Sequence, residues 1–222
     1  MILRFIGFVL IVFLSLSSYA AKAHFFTYVG MQGGFAVGET KMILGSSDIR
    51  SGGKNMFGVQ GGCGGAIAGF AFADKEIPLL YGLEFLWSVS NAKYHDDQTY
   101  GNDRSRYYVK QSRGFGGDVL IGYPIRGSVV FLKAGVRSSQ WCGKVDYPGY
   151  TGSDERQVFL DNFLTGLSAG IGLQGRLGKG VSARITFECT RYQKKSGTDI
   201  ARIKIRPILQ SVQFALIFHP TL

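Results

Sequence analysis

Apolar and polar residues alternate with period two along most of this chain, as they do in strands whose two faces meet different surroundings. The clearest run is Leu79–Ser90. Leu79, Tyr81, Leu83, Phe85, Trp87 and Val89 share one face, and Gly82, Glu84, Ser88 and Ser90 share the other, interrupted by Leu80 and Leu86. A helix would scatter both sets around its circumference. The same test predicts strands over Phe26–Val37, Tyr107–Tyr123, Val129–Ser139, Asn162–Gly175, Val181–Tyr192 and Ile208–Phe218. Phe57–Phe72 is too rich in glycine and alanine for its faces to be assigned, but it must connect two strands and is long enough to be one.

These segments make eight strands, joined by connections that alternate in length. Short turns fall near Asp74–Pro78, Pro124–Ser128 and Arg176–Gly180; long polar loops are expected near Glu39–Asn55, Asn91–Arg106, Gln140–Arg156 and Gln193–Arg202. The fold class expected is all-β, an eight-stranded antiparallel up-and-down transmembrane β-barrel with both ends of the domain on the short-turn side. A soluble sandwich or lipocalin-like barrel shares the strand count but would place the apolar set inside.

Charge position decides between the two. Glu84 lies six residues after Pro78, Asp118 six before Pro124, Lys133 five after Ser128 and Arg184 four after Gly180. With tilted strands climbing roughly 2.3 Å per residue, all four lie within about 5 Å of one height, at membrane depth. Two are acidic and two basic. Arg137 and Glu188, again of opposite sign, fall one layer higher. A solvated face has no need of such balance, whereas a narrow lumen requires it, because an unpaired charge there is very costly. The six residues Glu84, Asp118, Lys133, Arg137, Arg184 and Glu188 are therefore expected to form a charge network that plugs the lumen.

Residues 1–23 break the alternating pattern. Arg4 precedes an apolar run, Phe5–Leu16, and small residues close the segment at Ser18-Tyr19-Ala20 and Ala21-Lys22-Ala23. That layout predicts a secretory signal peptide over 1–23, removed on export, and one barrel domain over 24–222. Composition agrees: glycine is abundant (32), aromatics reach 14% and proline is sparse (5). The whole chain carries a formal charge of +10. No basic stripe of the kind that binds nucleic acid is present, so anionic head groups are the expected counterpart of that charge. Cys63, Cys142 and Cys189 are odd in number and not spaced like metal ligands; they read as free thiols with one optional pair.

At this point the residues resemble a known family. The strand Tyr81-Gly82-Leu83-Glu84-Phe85, the glycine-rich sixth strand and the terminal Val212-x-Phe214-x-Leu216-x-Phe218 are similar to those of small outer-membrane β-barrel proteins. That group includes the membrane domain of the outer membrane protein A family and related alphaproteobacterial surface proteins. The likeness spans the chain from residue 24 on, through diffuse motifs. It implies an acid on strand three facing bases on strands five and seven, and Glu84, Lys133, Arg184 and Glu188 occupy corresponding strands. It also implies that the terminal aromatic, Phe218, is the signal read by the barrel insertion machinery, although His219-Pro220-Thr221-Leu222 follow it here. No peptidoglycan-binding domain follows, so wall anchoring is not carried over.

Candidate chemistry is thin. His95, beside Asp96 and Asp97 with Ser105 further on, is the one constellation resembling a base with an orienting acid, and a solvated polar loop explains it better. Gly178-Lys179-Gly180 reads as a β-turn and not a phosphate loop. The expected function is that of a structural outer-membrane surface barrel in a Gram-negative bacterium, porin-like in architecture, without enzymatic activity, cofactor or metal. Expected partners are outer-membrane lipid and lipopolysaccharide, the insertion machinery and a host surface ligand met by the outer loops, and no nucleic acid. Tyr94, Tyr100, Tyr107, Tyr108, Trp141, Tyr147 and Tyr150 would form either an interfacial girdle or a contact surface. Lys194, Lys195, Arg202, Lys204 and Arg206 would face phosphate-bearing lipid. The alternative is a narrow porin-like channel or a carrier of a small hydrophobic or haem-like ligand.

Overall fold

The computed structural model describes residues 24–43, 56–73, 79–100, 103–147, 155–193, 195–196 and 204–220. The predicted signal peptide, the predicted turn near Asp74–Pro78 and the tips of the long connections lie outside the described residues.

Eight antiparallel strands close on themselves. They are β1 (His24–Ile43), β2 (Met56–Ala73), β3 (Leu80–Ser90, continued by Lys93–Tyr100), β4 (Asp103–Ile125), β5 (Ser128–Tyr147), β6 (Glu155–Gly178), β7 (Val181–Tyr192, continued by Lys195–Ser196) and β8 (Lys204–Phe218). Each pairs with its neighbours in sequence, and β1 closes the barrel on β8 from Val29↔Phe218 to Ile43↔Lys204. Closure leaves no free sheet edge, so every strand interior finds its backbone partners within the wall.

The turns follow local sequence. Arg126 and Gly127 join β4 to β5 with both φ angles positive, 45° and 85°, the two-residue hairpin geometry that matches strand twist. Gly180 takes φ 72° between β6 and β7. At the opposite end the strands run further than the sequence reading expects. The expected loop near Asn91–Arg106 is largely a hairpin, in which Lys93–Tyr100 pairs with Asp103–Lys110. Likewise β5 and β6 stay paired out to Tyr147↔Glu155. Polar side chains made these stretches look like loops, but backbone pairing does not require an apolar face when both faces are wet. A break at Asn91 and Ala92, held by Asn91 N donating to Gly62 O (3.1 Å) and Gln111 N donating to Ala92 O (2.9 Å), separates the wall from this extension.

Outside and inside are inverted relative to a water-soluble barrel. Phe85, Trp87, Phe115, Leu132, Ile171 and Phe214 point outward and are exposed; Met31 and Leu167 reach 70% and 72%. Such a continuous apolar exterior is a surface for hydrocarbon and not for water. Phe115 and Phe163 touch near its upper edge, with ring centroids 5.8 Å apart. Just above them Arg113 and Asp161 both bond to Gln140, at 3.1 and 2.9 Å, which marks the end of the apolar belt.

The strand β2, whose faces the sequence left open, turns Ile67 and Ala71 inward and Ala66 and Ala68 outward. Leu86, an apparent interruption of the polar face of β3, lies inside with Tyr28, Ile67, Ala71, Ala215 and Ile217 in an apolar cluster. Gly69 is needed there, because a Cβ would stand 2.5 Å from Tyr28 Cζ. The lumen is thus divided side to side: an apolar cluster drawn from β1, β2, β3 and β8, and a charged group drawn from β3, β4, β5 and β7.

Replacing Phe85 by Arg puts a charge near mid-height of the outer wall. Its unfolding free energy in lipid vesicles should fall by about 2–4 kcal/mol. Unchanged stability in vesicles would mean that Phe85 meets water.

A charge-filled barrel interior and its two ends

Six charged side chains are buried among the described residues: Glu84, Asp118, Lys133, Arg137, Arg184 and Glu188. Alternation alone places each of them inside, since each occupies the inward parity of its strand. Three acids meet three bases, so the set is formally neutral. They form two groups, and these differ from the two heights expected from sequence. In the first, the Arg184 guanidinium pairs with the Glu84 carboxylate. Tyr28 Oη donates to the same carboxylate at 3.0 Å, and Arg184 Nε and Nη2 donate to Gln174 Oε1 at 3.0 and 2.9 Å. The guanidinium carbon also stands 4.9 Å from the centre of the Phe131 ring, within cation–π range.

In the second group Arg137 bridges two carboxylates. Its Nη1 and Nη2 donate to Asp118 Oδ1 and Oδ2 at 2.7 and 2.6 Å, and its Nε and Nη2 donate to Glu188 Oε1 and Oε2 at 2.9 and 2.7 Å. Lys133 completes the group, 2.5 Å from Glu188 and 3.4 Å from Asp118. Ser168 donates to Asp118 and Thr190 to Glu188. Asp118 stays beside Glu84 along the wall yet joins the second group, because the long Arg137 side chain reaches down to it. The members come from β3, β4, β5 and β7: Asp118 meets Lys133 and Arg137 on the neighbouring strand, whereas Glu84–Arg184 and the contacts of Glu188 with Lys133 and Arg137 brace the barrel across its interior. Tyr28 and Gln174 lie in the inward sets of the sequence pattern; Gln174 faces Arg184 directly across the β6–β7 hairpin, but nothing local marks Tyr28 as a partner of Glu84.

Above the second group the interior closes with Trp141, Val109, Leu164 and Tyr192, all buried. Trp141, expected in a loop, stands inside β5 with its ring edge against Tyr192, centroids 5.4 Å apart. The Tyr192 hydroxyl lies 2.9 Å from Ser139 Oγ and accepts from Gln111 Nε2 at 3.1 Å. Beside Arg137 and Glu188, toward β1 and β2, a cavity of about 50 Å³ remains. That is space for a few water molecules.

The short-turn end is more open. A vestibule of about 380 Å³ is lined by Gln174, Arg176, Ser182 and His219 among others. His219 N donates to Gly180 O (2.8 Å), and its Nε2 lies 3.1 Å from Ser182 Oγ. Burial first, and then the Arg184 and Arg176 charges, hold the His219 imidazole below its ordinary pKa, which favours the neutral ring.

Other predicted residues fall as follows. Phe218 ends β8 on the outward face, opposite Val29 and Val181. His95 lies opposite Tyr108 in the hairpin extension, and Ser105 lies opposite Gln98, three residues along the strand from His95. Their side chains, with those of Tyr94, Tyr100, Tyr107, Tyr147 and Tyr150, lie outside the described residues, as do Lys194 and Arg202. Arg206 is exposed on β8. Cys63, Cys142 and Cys189 are free thiols.

Fold, exterior and interior together define a class: an eight-stranded transmembrane β-barrel whose lumen is filled by side chains. No protein-family model matches the chain, and neither does any curated protein. Solved structures are similar in outline. Neisserial surface protein A has 12% identity and a TM-score of 0.37 over 84% of this chain and 95% of that one. The outer membrane protein OprG of Pseudomonas aeruginosa has 10% identity and a TM-score of 0.45 over 88% of this chain and 98% of that one. The attachment invasion locus protein Ail of Yersinia pestis, solved with a heparin analogue, has 11% identity and a TM-score of 0.32, over 85% and 98%.

Removing one partner of a buried pair leaves the other charge uncompensated. Glu84→Ala should lower stability in detergent by roughly 3–5 kcal/mol, whereas Glu39→Ala at the partly exposed outer end of β1 should change it by less than about 0.5 kcal/mol. Replacing Glu84 and Arg184 together by Gln and Met should recover much of the loss. Equal effects of the two single variants in urea unfolding would show that the Glu84–Arg184 contact carries no stability.

Proposed function

We propose that this chain is a structural barrel of a bacterial outer membrane, exported with loss of residues 1–23, with its lumen plugged by the six-residue charge network. The observation that carries this reading is the pairing of an apolar exterior with a neutral, ion-paired interior, which suits a wall seen by lipid and a core closed to bulk water. Lipopolysaccharide phosphates are the natural counterpart of the exposed Arg206 and the basic residues near it, and the Tyr-rich hairpins at the same end are the surface offered to a host ligand. Phe218, at the end of the last strand and facing outward, suits a role as the insertion signal. The interior supports structure over transport: the cavity beside the network, of about 50 Å³, is far below the roughly 300 Å³ at which pockets for drug-sized ligands begin.

Two measurements test the proposal. On cell fractionation the protein should appear in the outer membrane and migrate faster on gels unheated than boiled; recovery in the soluble fraction with no heat-dependent shift would refute it. In planar bilayers the purified barrel should give no large, stable conductance. Steady porin-sized openings would replace the plugged lumen with a channel.

A further inference from the structure

The vestibule at the short-turn end has a chemistry that the plugged-lumen reading does not use. Its floor is Gln174, whose amide oxygen is already taken by Arg184, with the Arg184–Glu84 pair beyond it. Its wall carries the Arg176 guanidinium. Nε of Arg176 donates to Gly178 O at 3.1 Å, which ties the side chain to the wall, and no carboxylate pairs with this guanidinium among the described residues. Across from it the Ser182 hydroxyl meets His219 Nε2 at 3.1 Å. The imidazole is fixed from behind, by its backbone bond to Gly180 and by the rings of Phe26 and Tyr28, 5.9 and 6.1 Å away. Among the described residues no acidic side chain lines the space. A cavity of about 380 Å³ is within the usual range for small-molecule sites.

We propose that this vestibule binds a small oxyanion, a phosphate or carboxylate group, held by the Arg176 guanidinium and by the Ser182 hydroxyl that His219 orients. A neutral imidazole that donates from Nε2 to Ser182 Oγ leaves the hydroxyl hydrogen free to point at the ligand. The two terminal nitrogens of Arg176 then present the planar fork that oxyanions accept in a bidentate manner. Binding needs no rearrangement of the charge network, because Arg184 keeps Glu84 and Gln174 as its partners. The site is independent of where the barrel resides, so it is measured on solubilised protein.

The test is titration of the full barrel in detergent with inorganic phosphate, and in parallel with acetate, in a buffer free of other oxyanions. Calorimetry or amide shifts report binding, and heat-dependent gel migration confirms that each variant is folded. Saturable binding of one of the two anions is expected, with tighter binding identifying the class. Arg176→Ala should weaken it at least tenfold and Arg176→Lys less, while Ser182→Ala should weaken it by a smaller factor. Arg126→Ala, on the neighbouring turn outside the vestibule, should leave it unchanged. Equal losses for Arg126→Ala and Arg176→Ala would reduce the effect to general surface charge and overturn the proposal. So would unsaturable binding, or binding seen only after Thr221 and Leu222 are deleted, which would assign the vestibule to the chain's own tail.

Discussion

Electroneutrality in a narrow interior is the constraint on which the rest of this barrel depends. Eight strands set a radius at which side chains from opposite walls touch, so water cannot surround each charge. Every buried charge must then find its counterpart on another strand. Glu84 on β3 finds Arg184 on β7, and Arg137 on β5 holds Asp118 on β4 and Glu188 on β7 together. These contacts also fix register. Sliding any of these strands by one residue would turn its charge into the lipid and its apolar neighbours into the lumen.

The apolar half of the interior answers the same geometry differently. Where β1, β2, β3 and β8 curve past one another, Tyr28, Ile67, Leu86 and Ile217 fill the space without charges to balance. Tyr28 joins the two halves, with its ring in the apolar cluster and its hydroxyl on Glu84. Small residues opposite make room for it, above all Gly69. An interior filled in this way leaves a cavity of only about 50 Å³ beside the network. Chemistry is left to the ends: a hairpin-bearing rim above Trp141 and Tyr192, and a basic vestibule below Arg184.

The alternation of Leu79–Ser90 and its counterparts separates the two faces of every strand but β2, and it places all six charges inside. Period two is a local property of the backbone, and inversion of the faces follows once the charges must neutralise one another. The faces of β2 were hidden because glycine and alanine carry too little contrast between inside and outside. Loop lengths are not legible in the sequence, because polar residues look alike in a wet strand and in a wet loop. Trp141 sits among such residues, although it has the inward parity of β5.

What the sequence determined by itself is therefore the strand count, the order of strands, the parity of every alternating residue and the sign balance within. Partner choice was left to the tertiary structure. Asp118 sits beside Glu84 along the wall yet bonds to Arg137, and Tyr28 completes the Arg184–Glu84 pair from a strand far away in sequence. Side-chain reach across a closed barrel depends on shear and curvature, which belong to the assembled wall and to no single strand. The meeting of Ser182 with His219 is of the same kind: closing β8 onto β7 brings together two residues that neither strand pattern connects.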